Sequence, residues 1–285
     1  MKKKTKSLGI LYIVSTPIGN LKDITYRAIE ILKTVNIIAA ESINHTKKLL
    51  NFYKIKTKIT SFNKENEKAK SYIILKKLII NENIAIVSNS GTPLINDPGE
   101  LIVKMCHKNK IKVVPIPGAC SAIAAISSSG ISTKKFCYEG FIPRKEKKIE
   151  NMFYNLYLEK RTIILLETSK RILKSLNIIM KIFGKNRKIT FIKEVTKFWE
   201  TIKKTRINKL IKWIKLDKKR YKGEILLIIE GNTNLHQKVI TYNILETHKI
   251  LKKFLMNSSA IIATSKIHNI NKNLLYKYIL KNKMT

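Results

Sequence analysis

Short apolar runs alternate along the chain with segments in which apolar residues recur every three or four positions. "ILYIVS" (10–15), "NIIAAE" (36–41), "NIAIVS" (83–88) and "KVVPIP" (112–117) are short and continuous, a pattern that predicts buried strands. After the first of these, Ile24, Ala28, Ile31, Leu32 and Val35 recur on one helical face, with Asp23 placed to cap the helix. A second series predicts four more strands with helices interposed: "FCYEGFI" (136–142), "RTIILLE" (161–167), "KITFIKE" (188–194) and "EILLIIEG" (224–231). After Gly231 the strand pattern stops, and short helices are expected with Ser258 and Asn271 as caps. Such alternation implies βαβ units and mostly parallel sheets. The expected organisation is an α/β domain over 1–118, a second α/β domain over 119–231 and a helical appendage over 232–285.

Three connections stand out because the chain has only 10 Gly and 6 Pro in 285 residues. "STPIGNLKD" (15–23), "SNSGTPLINDPG" (88–99) and "PIPGACSA" (115–122) each place Gly and Pro where the chain leaves a predicted strand. Gly permits backbone conformations closed to other residues and lets a ligand approach the main chain, while Pro stiffens the turn. Any one of these loops reads as an ordinary tight turn. Three of them at the carboxyl edge of one sheet, where open α/β sheets bind ligands, point to a small-molecule pocket. No dinucleotide fingerprint, P-loop, Ser–His–Asp set or H-E-x-x-H motif accompanies them.

Composition adds a partner class. With 57 Lys and Arg against 19 Asp and Glu, the formal net charge is +38, which favours a polyanion and first of all nucleic acid. Lys, Ile and Asn are also abundant in core and loop alike, so part of this charge reads as compositional drift. Cys106, Cys120 and Cys137 are odd in number and widely spaced, matching neither a disulfide framework nor a zinc site; they read as reduced thiols of a cytosolic protein. The start, "MKKKTKSLGILYIVSTPIG", has the basic and apolar parts of a signal peptide but a very short apolar run and no small-residue cleavage site, so a basic tail entering the first strand is expected. No apolar run approaches the roughly 18 residues of a membrane helix.

Several longer stretches, in order, carry a family resemblance. "LYIVSTPIGNLKDITYRAIEIL", "SGTPLINDPG", "PIPGACSAIAAISSSGI" with "KFCYEGFIPRK", and "KEVTKFWETI" before "KGEILLIIEG" closely resemble the tetrapyrrole-methylase superfamily, and within it the methyltransferases of small-subunit ribosomal RNA. The resemblance implies an S-adenosyl-L-methionine-dependent enzyme that 2′-O-methylates the ribose of a cytidine in the decoding centre of 16S rRNA. It also implies a homodimer whose protomers hold the cofactor in a cleft between two α/β domains, and the reading of the cysteines as reduced thiols places it in the cytoplasm. By the same resemblance Gly91, Thr92, Pro93 and Leu94 would lie against the methyl donor. Pro17, Gly118, Ser121 and Ala122 would form adjacent walls, and Leu166 and Glu167 would approach from the second domain. Asp97, Pro98 and Gly99 are given the structural role of building the loop and starting the next helix.

Two stretches depart from the family. Where it usually reads A-E-D-T-R-H, this chain has "AESINH" (40–45), keeping Glu41 and His45 but substituting Ser42, Ile43 and Asn44. Where it usually reads S-D-A-G-T-P, Asn89 replaces the Asp and Ser90 the Ala. These losses leave open a degenerate protein that binds rRNA without methylating it; a tetrapyrrole methylase is the other alternative, against which the basic surface argues.

Methyl transfer to a hydroxyl needs in-line placement and the loss of a proton. Glu41, at a strand end, is the candidate to orient or deprotonate the 2′-hydroxyl, ahead of His45. Glu194 and Glu200 read as structural ion-pair partners. Tyr138 and Trp199 read either as core aromatics or as stacking surfaces for a displaced base. His107, His236, His248 and His268 read as surface or packing residues. Within 203–222 the helical spacing of Ile207, Leu210, Ile211 and Ile214 turns Lys209, Lys212 and Lys215 away from the core. They form a solvated face or a ridge for rRNA phosphates, which would position RNA without reading its sequence. Arg144 and Lys145, with Lys147 and Lys148, make a second candidate RNA patch.

Overall fold

The computed structural model describes residues 7–232, 242–268, 270 and 272–281. The basic leader at 1–6, His236 and the expected cap Asn271 lie outside them. The chain divides into two compact units, Met1–Ser128 with Glu194–Thr201, and Ser129–Lys193 with Ile202–Thr285. The first unit thus runs ten residues beyond the boundary expected at 118 and takes in a second, separate segment.

In the first unit the order is β1 (Leu11–Val14), α1 (Tyr26–Thr34), β2 (Ile37–Ala40), α2 (Ile43–Phe52), β3 (Lys58–Ser61), α3 (Glu67–Ile79), β4 (Ile84–Val87), α4 (Glu100–Lys108), β5 (Val113–Ile116) and α5 (Ser121–Ser128). The sheet order is β3-β2-β4-β1-β5 and every recorded pairing is parallel, with Leu11 opposite both Ile84 and Val113. Alternation along the strands feeds two cores. Leu11, Ile13, Ile84 and Ile86 pack with Ile74, Leu78, Ile102 and Cys106 from α3 and α4. Val14, Ile38, Ala85 and Val87 pack with Ala28, Leu32 and Leu50 from α1 and α2. Both faces are covered, which is why these strands read as unbroken apolar runs. The cap of α1 is Thr25, whose Oγ1 accepts from the Ala28 N–H at 3.2 Å, and not Asp23, which lies in a 3₁₀ turn just before it.

The second unit contains β6 (Phe136–Phe141), α6 (Glu146–Leu156), β7 (Thr162–Thr168), α7 (Ile172–Phe183), β8 (Lys188–Lys193), β9 (Thr201–Arg206, whose first residue counts with the other unit), α8 (Ile207–Lys215) and β10 (Glu224–Ile229). Its sheet order is β6-β7-β10-β8-β9. The expected mostly parallel arrangement holds for β6 with β7, but β10 inserts between β7 and β8 and runs antiparallel to both. A continuous apolar run looks the same in either direction, so its pattern carries no information on strand polarity. Helices α6, α7 and α8 cover one face through Phe153, Leu176, Ile179, Leu210 and Ile214. Then come α9 (Tyr242–Leu251), α10 (Asn257–Ile267) and α11 (Lys272–Lys281), with a small core of Ile244, Ile261 and Leu275. Ser258 falls inside the first turn of α10, whose cap position is Met256, so it is not the cap.

All eight expected strands are present. The two additional ones, β3 ("KITS") and β9 ("TIKKTR"), are edge strands. Lysine on an edge discourages pairing with another chain, and the same lysines hide such strands from a search for apolar runs. No helix among the described residues is long and apolar enough to cross a membrane.

Candidate functional site

In the first sheet β2, β4, β1 and β5 are consecutive neighbours, so the residues leaving their carboxyl ends share one edge. The three Gly/Pro loops meet there. Thr16 and Gly91 form a two-bond antiparallel bridge, Thr16 N–H to Gly91 O at 2.9 Å and Gly91 N–H to Thr16 O at 3.0 Å. Ser15 Oγ and Thr92 Oγ1 are 3.0 Å apart, and Thr92 Oγ1 donates to the Ala119 carbonyl at 3.2 Å. A Cβ on Gly118 would stand 2.8 Å from Ser15 Cβ, so only glycine lets the third loop come this close to the first. Pro17, Gly91, Pro93 and Ala122 are buried, Thr92, Leu94 and Ser121 half-buried, and Gly118 exposed. Ser121 opens α5.

The loop after β4 is held in an unusual conformation. Gly91, Leu94, Asn96 and Gly99 have φ of 80°, 71°, 73° and 135°. A left-handed leucine costs energy and persists only where its surroundings fix it. Leu94 packs against the α3/α4 core, and a Cβ on Gly99 would lie 2.9 Å from Leu94 Cδ1. Gly99 is the N-cap of α4 and has no side chain with which to cap it. Glu67 does so instead: from α3, its Oε1 accepts from Gly99 N–H at 2.9 Å and Leu101 N–H at 3.4 Å. The sequence reading missed Glu67, whose only local signal is a lone acid in the first turn of α3.

Glu41 follows β2 directly. One of its carboxylate oxygens accepts from the Asn89 N–H at 3.0 Å, so it anchors the start of the loop after β4. Asp97, at the far end of the same loop, is pushed up to about 6 by burial and by the negative charge of Glu41, against a hydrogen bond from Ser88 and the charge of Lys64. Two carboxylates therefore sense each other across this loop, one holding a proton more readily than usual. Asn89 Oδ1 is buried with no hydrogen-bond partner. Ser42 caps α2, accepting from the His45 N–H at 3.4 Å, while the side chains of Asn44 and His45 are exposed. The departure at 42 thus keeps the helix start while removing a charge.

A model of the tetrapyrrole (corrin/porphyrin) methylases matches residues 10–211. The chain belongs to the tetrapyrrole methylase family. It is 48% identical over 274 residues (96% of this chain, 97% of the relative) to ribosomal RNA small subunit methyltransferase I of Buchnera aphidicola subsp. Acyrthosiphon pisum (strain APS). It is 42% identical over 275 residues, 96% of each chain, to the protein of the same name from Escherichia coli O157:H7. Among solved structures, a diphthine synthase aligns with a TM-score of 0.60 at 14% identity, over 78% of this chain and 90% of the other. A uroporphyrin-III-C-methyltransferase from Thermus thermophilus aligns at 0.56 and 17%, over 78% and 94%. At such identities these two speak for the fold alone.

In the second unit of this tetrapyrrole methylase, Leu166 is half-buried on β7 and Glu167 is only 2% exposed. The Glu167 carboxylate pairs with Arg171 at 2.6 Å and accepts from the Ser175 hydroxyl and the Thr168 N–H. The Glu167 side chain is fully buried. Arg144 and Lys145 are exposed at the start of α6, and Lys209, Lys212 and Lys215 are exposed on α8 opposite the buried Ile207, Leu210, Ile211 and Ile214. Not all the basic residues of 203–222 are available, since Lys203 and Arg220 each lie 4.8 Å from the Trp213 ring. Tyr138 is half-buried on β6, whereas Trp199 is 70% exposed.

Cys106 and Cys137 are buried free thiols, each pushed up to about 11 chiefly by that burial, which makes them poor nucleophiles. Among the described residues no group of three or more His, Cys, Asp or Glu is placed to hold a metal. A concavity of about 630 Å³ lined by Lys33, Lys56, Lys58 and Glu82 sits at the other end of the first sheet's strands, away from these loops.

Proposed function

We propose that this tetrapyrrole methylase is an S-adenosylmethionine-dependent methyltransferase of small-subunit ribosomal RNA that modifies the ribose 2′-hydroxyl of a cytidine in the decoding centre. The observation that carries this reading is the likeness at 42–48% identity, over nearly the full length, to relatives named ribosomal RNA small subunit methyltransferase I. We place its site of action in the cytoplasm and its working form as a homodimer.

The linked loops suit the cofactor. Gly118 leaves exposed main chain at the loop edge, Gly91 lets the second loop close on the first, and Ser15, Thr16 and Thr92 tie the three loops into one cradle. Pro17, Pro93, Leu94, Ser121 and Ala122 would line it. The bound cofactor supplies an electrophilic methyl group on a sulfonium. The protein's own task is to hold a hydroxyl in line with that methyl and to take up its proton. Glu41 stands at the neighbouring strand end with one oxygen committed to Asn89; it would orient the hydroxyl or accept its proton. Exposed Arg144, Lys145, Lys209, Lys212 and Lys215 would bind RNA phosphates.

A second reading, an rRNA-binding protein without activity, is favoured by the absent acid at 42 and at 89. One experiment separates them. The chain is incubated with methyl-labelled cofactor and small ribosomal subunits lacking the modification, and the label is mapped. Label on a single cytidine ribose supports the first reading; retention of RNA without label supports the second and overturns the first.

A further inference from the structure

Phe198 and Trp199 are 90% and 70% exposed, and their rings meet edge to face with centroids 4.9 Å apart. Each such side chain normally hides roughly 150–250 Å² of surface. Two of them side by side in water call for an occupant.

The turn that carries them is rigidly tied. Glu194 and Thr196 adopt left-handed φ of 54° and 65°. Lys197 N–H donates to Glu194 O and Glu200 N–H to Lys197 O, both at 3.0 Å. The Glu200 carboxylate accepts from Thr196 N–H at 2.7 Å, and Lys197 pairs with Glu194 at 3.2 Å. The two acids hold the turn, and Glu200 does so through the backbone instead of the expected ion pair. This turn lies against the loop that follows β1. A Cβ on Gly19 would stand 2.5 Å from Lys197 Cγ and 2.8 Å from Thr196 Oγ1. Exposed Lys22 and Arg27 follow on the same stretch, in a chain of net charge +38.

We propose that Phe198 and Trp199 form a stacking platform for unpaired bases of the RNA substrate, fixed beside the cofactor loop that contains Pro17. It rests on the reading of the chain as an RNA methyltransferase and names the element that would hold the RNA near the reacting ribose. A nucleotide matches both features, with a flat apolar base for the rings and a phosphate for the exposed cations of the stretch after Gly19. A second copy of this chain could cover the rings but would bring no phosphate to the cations.

The test uses the full chain, Trp199→Phe, Trp199→Leu and the double variant Phe198→Ala/Trp199→Ala. Binding is measured to a single-stranded RNA of about ten nucleotides and to an abasic chain with the same phosphates; stacking losses of this kind amount to about 5- to 160-fold per base. The double variant and Trp199→Leu should lose about tenfold or more on the RNA and little on the abasic chain. The salt slope should not change, since every phosphate keeps its cation, and Trp199→Phe should retain most of the affinity. KM for the small subunit should rise with cofactor affinity unchanged. Parental RNA affinity in the double variant, equal loss on both chains, or a change in oligomeric state by light scattering would each overturn the platform. Base-dependent binding by a parent chain that transfers no methyl group would uphold the platform and sink the reaction assigned above.

Discussion

Replacing Asp97 by Asn tests the electrostatics of the loop after β4. The Asp97 carboxyl is raised from 3.8 to about 6, first by burial and then by Glu41. A raised acid pKa means that the folded state binds a proton the unfolded chain has already lost. Between about pH 4 and pH 6 stability therefore falls as pH rises, and above that window the full cost persists. At 1.36 kcal/mol for each tenfold change in proton affinity, this rise sets a ceiling of about 3 kcal/mol. Asp97 is only half-buried, and screening by solvent reduces this to about 1–2 kcal/mol. The Asp97→Asn side chain would keep an acceptor for Ser88 and remain neutral throughout. Thermal unfolding followed from pH 4 to 8 should show variant and parent together at the acid end. A gap in favour of the variant should open through pH 6, reaching about 2–8 °C above pH 7. Carboxylates lowered by partners, such as Glu159 beside Arg161, lose stability in the opposite direction as pH falls, but they are common to both proteins and cancel in the difference. In a Glu41→Gln background the gap should shrink, because one source of the repulsion is gone. A gap that is constant with pH, or a variant less stable at pH 7.5, would refute this account of the loop.

Three further outcomes are expected. Glu41→Gln keeps an acceptor for the Asn89 N–H but loses the charge, and single-turnover methylation at saturating cofactor should slow by about 10² or more with cofactor affinity little changed; a parental rate would remove Glu41 from the chemistry. Gly91→Val forces a β-branched residue to φ 80° with its Cβ 3.3 Å from Ile18 Cγ2. It should cost about 1–3 kcal/mol and abolish cofactor binding, and calorimetry alongside circular dichroism would show whether a folded variant still binds. Lys209, Lys212 and Lys215 changed together to Gln should weaken rRNA binding and flatten its salt dependence by about 0.7–0.9 log units for each phosphate no longer neutralised; an unchanged slope would make this face of α8 a merely solvated one.

Strands in the middle of the sheets are legible in residue order alone, because a strand covered on both sides must be apolar throughout, as "IAIV" and "EILLII" are for all but one residue. The exposed lysines of α8 are equally legible, since helical spacing by itself separates Lys209 from Ile207 and Leu210, and so is the family, through the order of several long motifs. Folding in three dimensions was needed to fix the direction of β10, because hydrophobic pattern is blind to polarity, and to reveal the lysine-bearing edge strands β3 and β9. It also settled that Glu67 of α3 caps α4, through a bond between residues 32 positions apart that no local spacing reports. The fold further shows Glu167 buried and paired with Arg171 and Ser175, and Phe198 and Trp199 standing in solvent where an aromatic near a strand reads as core. These outcomes depend on which chain segments meet, and that is set by packing between elements distant in sequence.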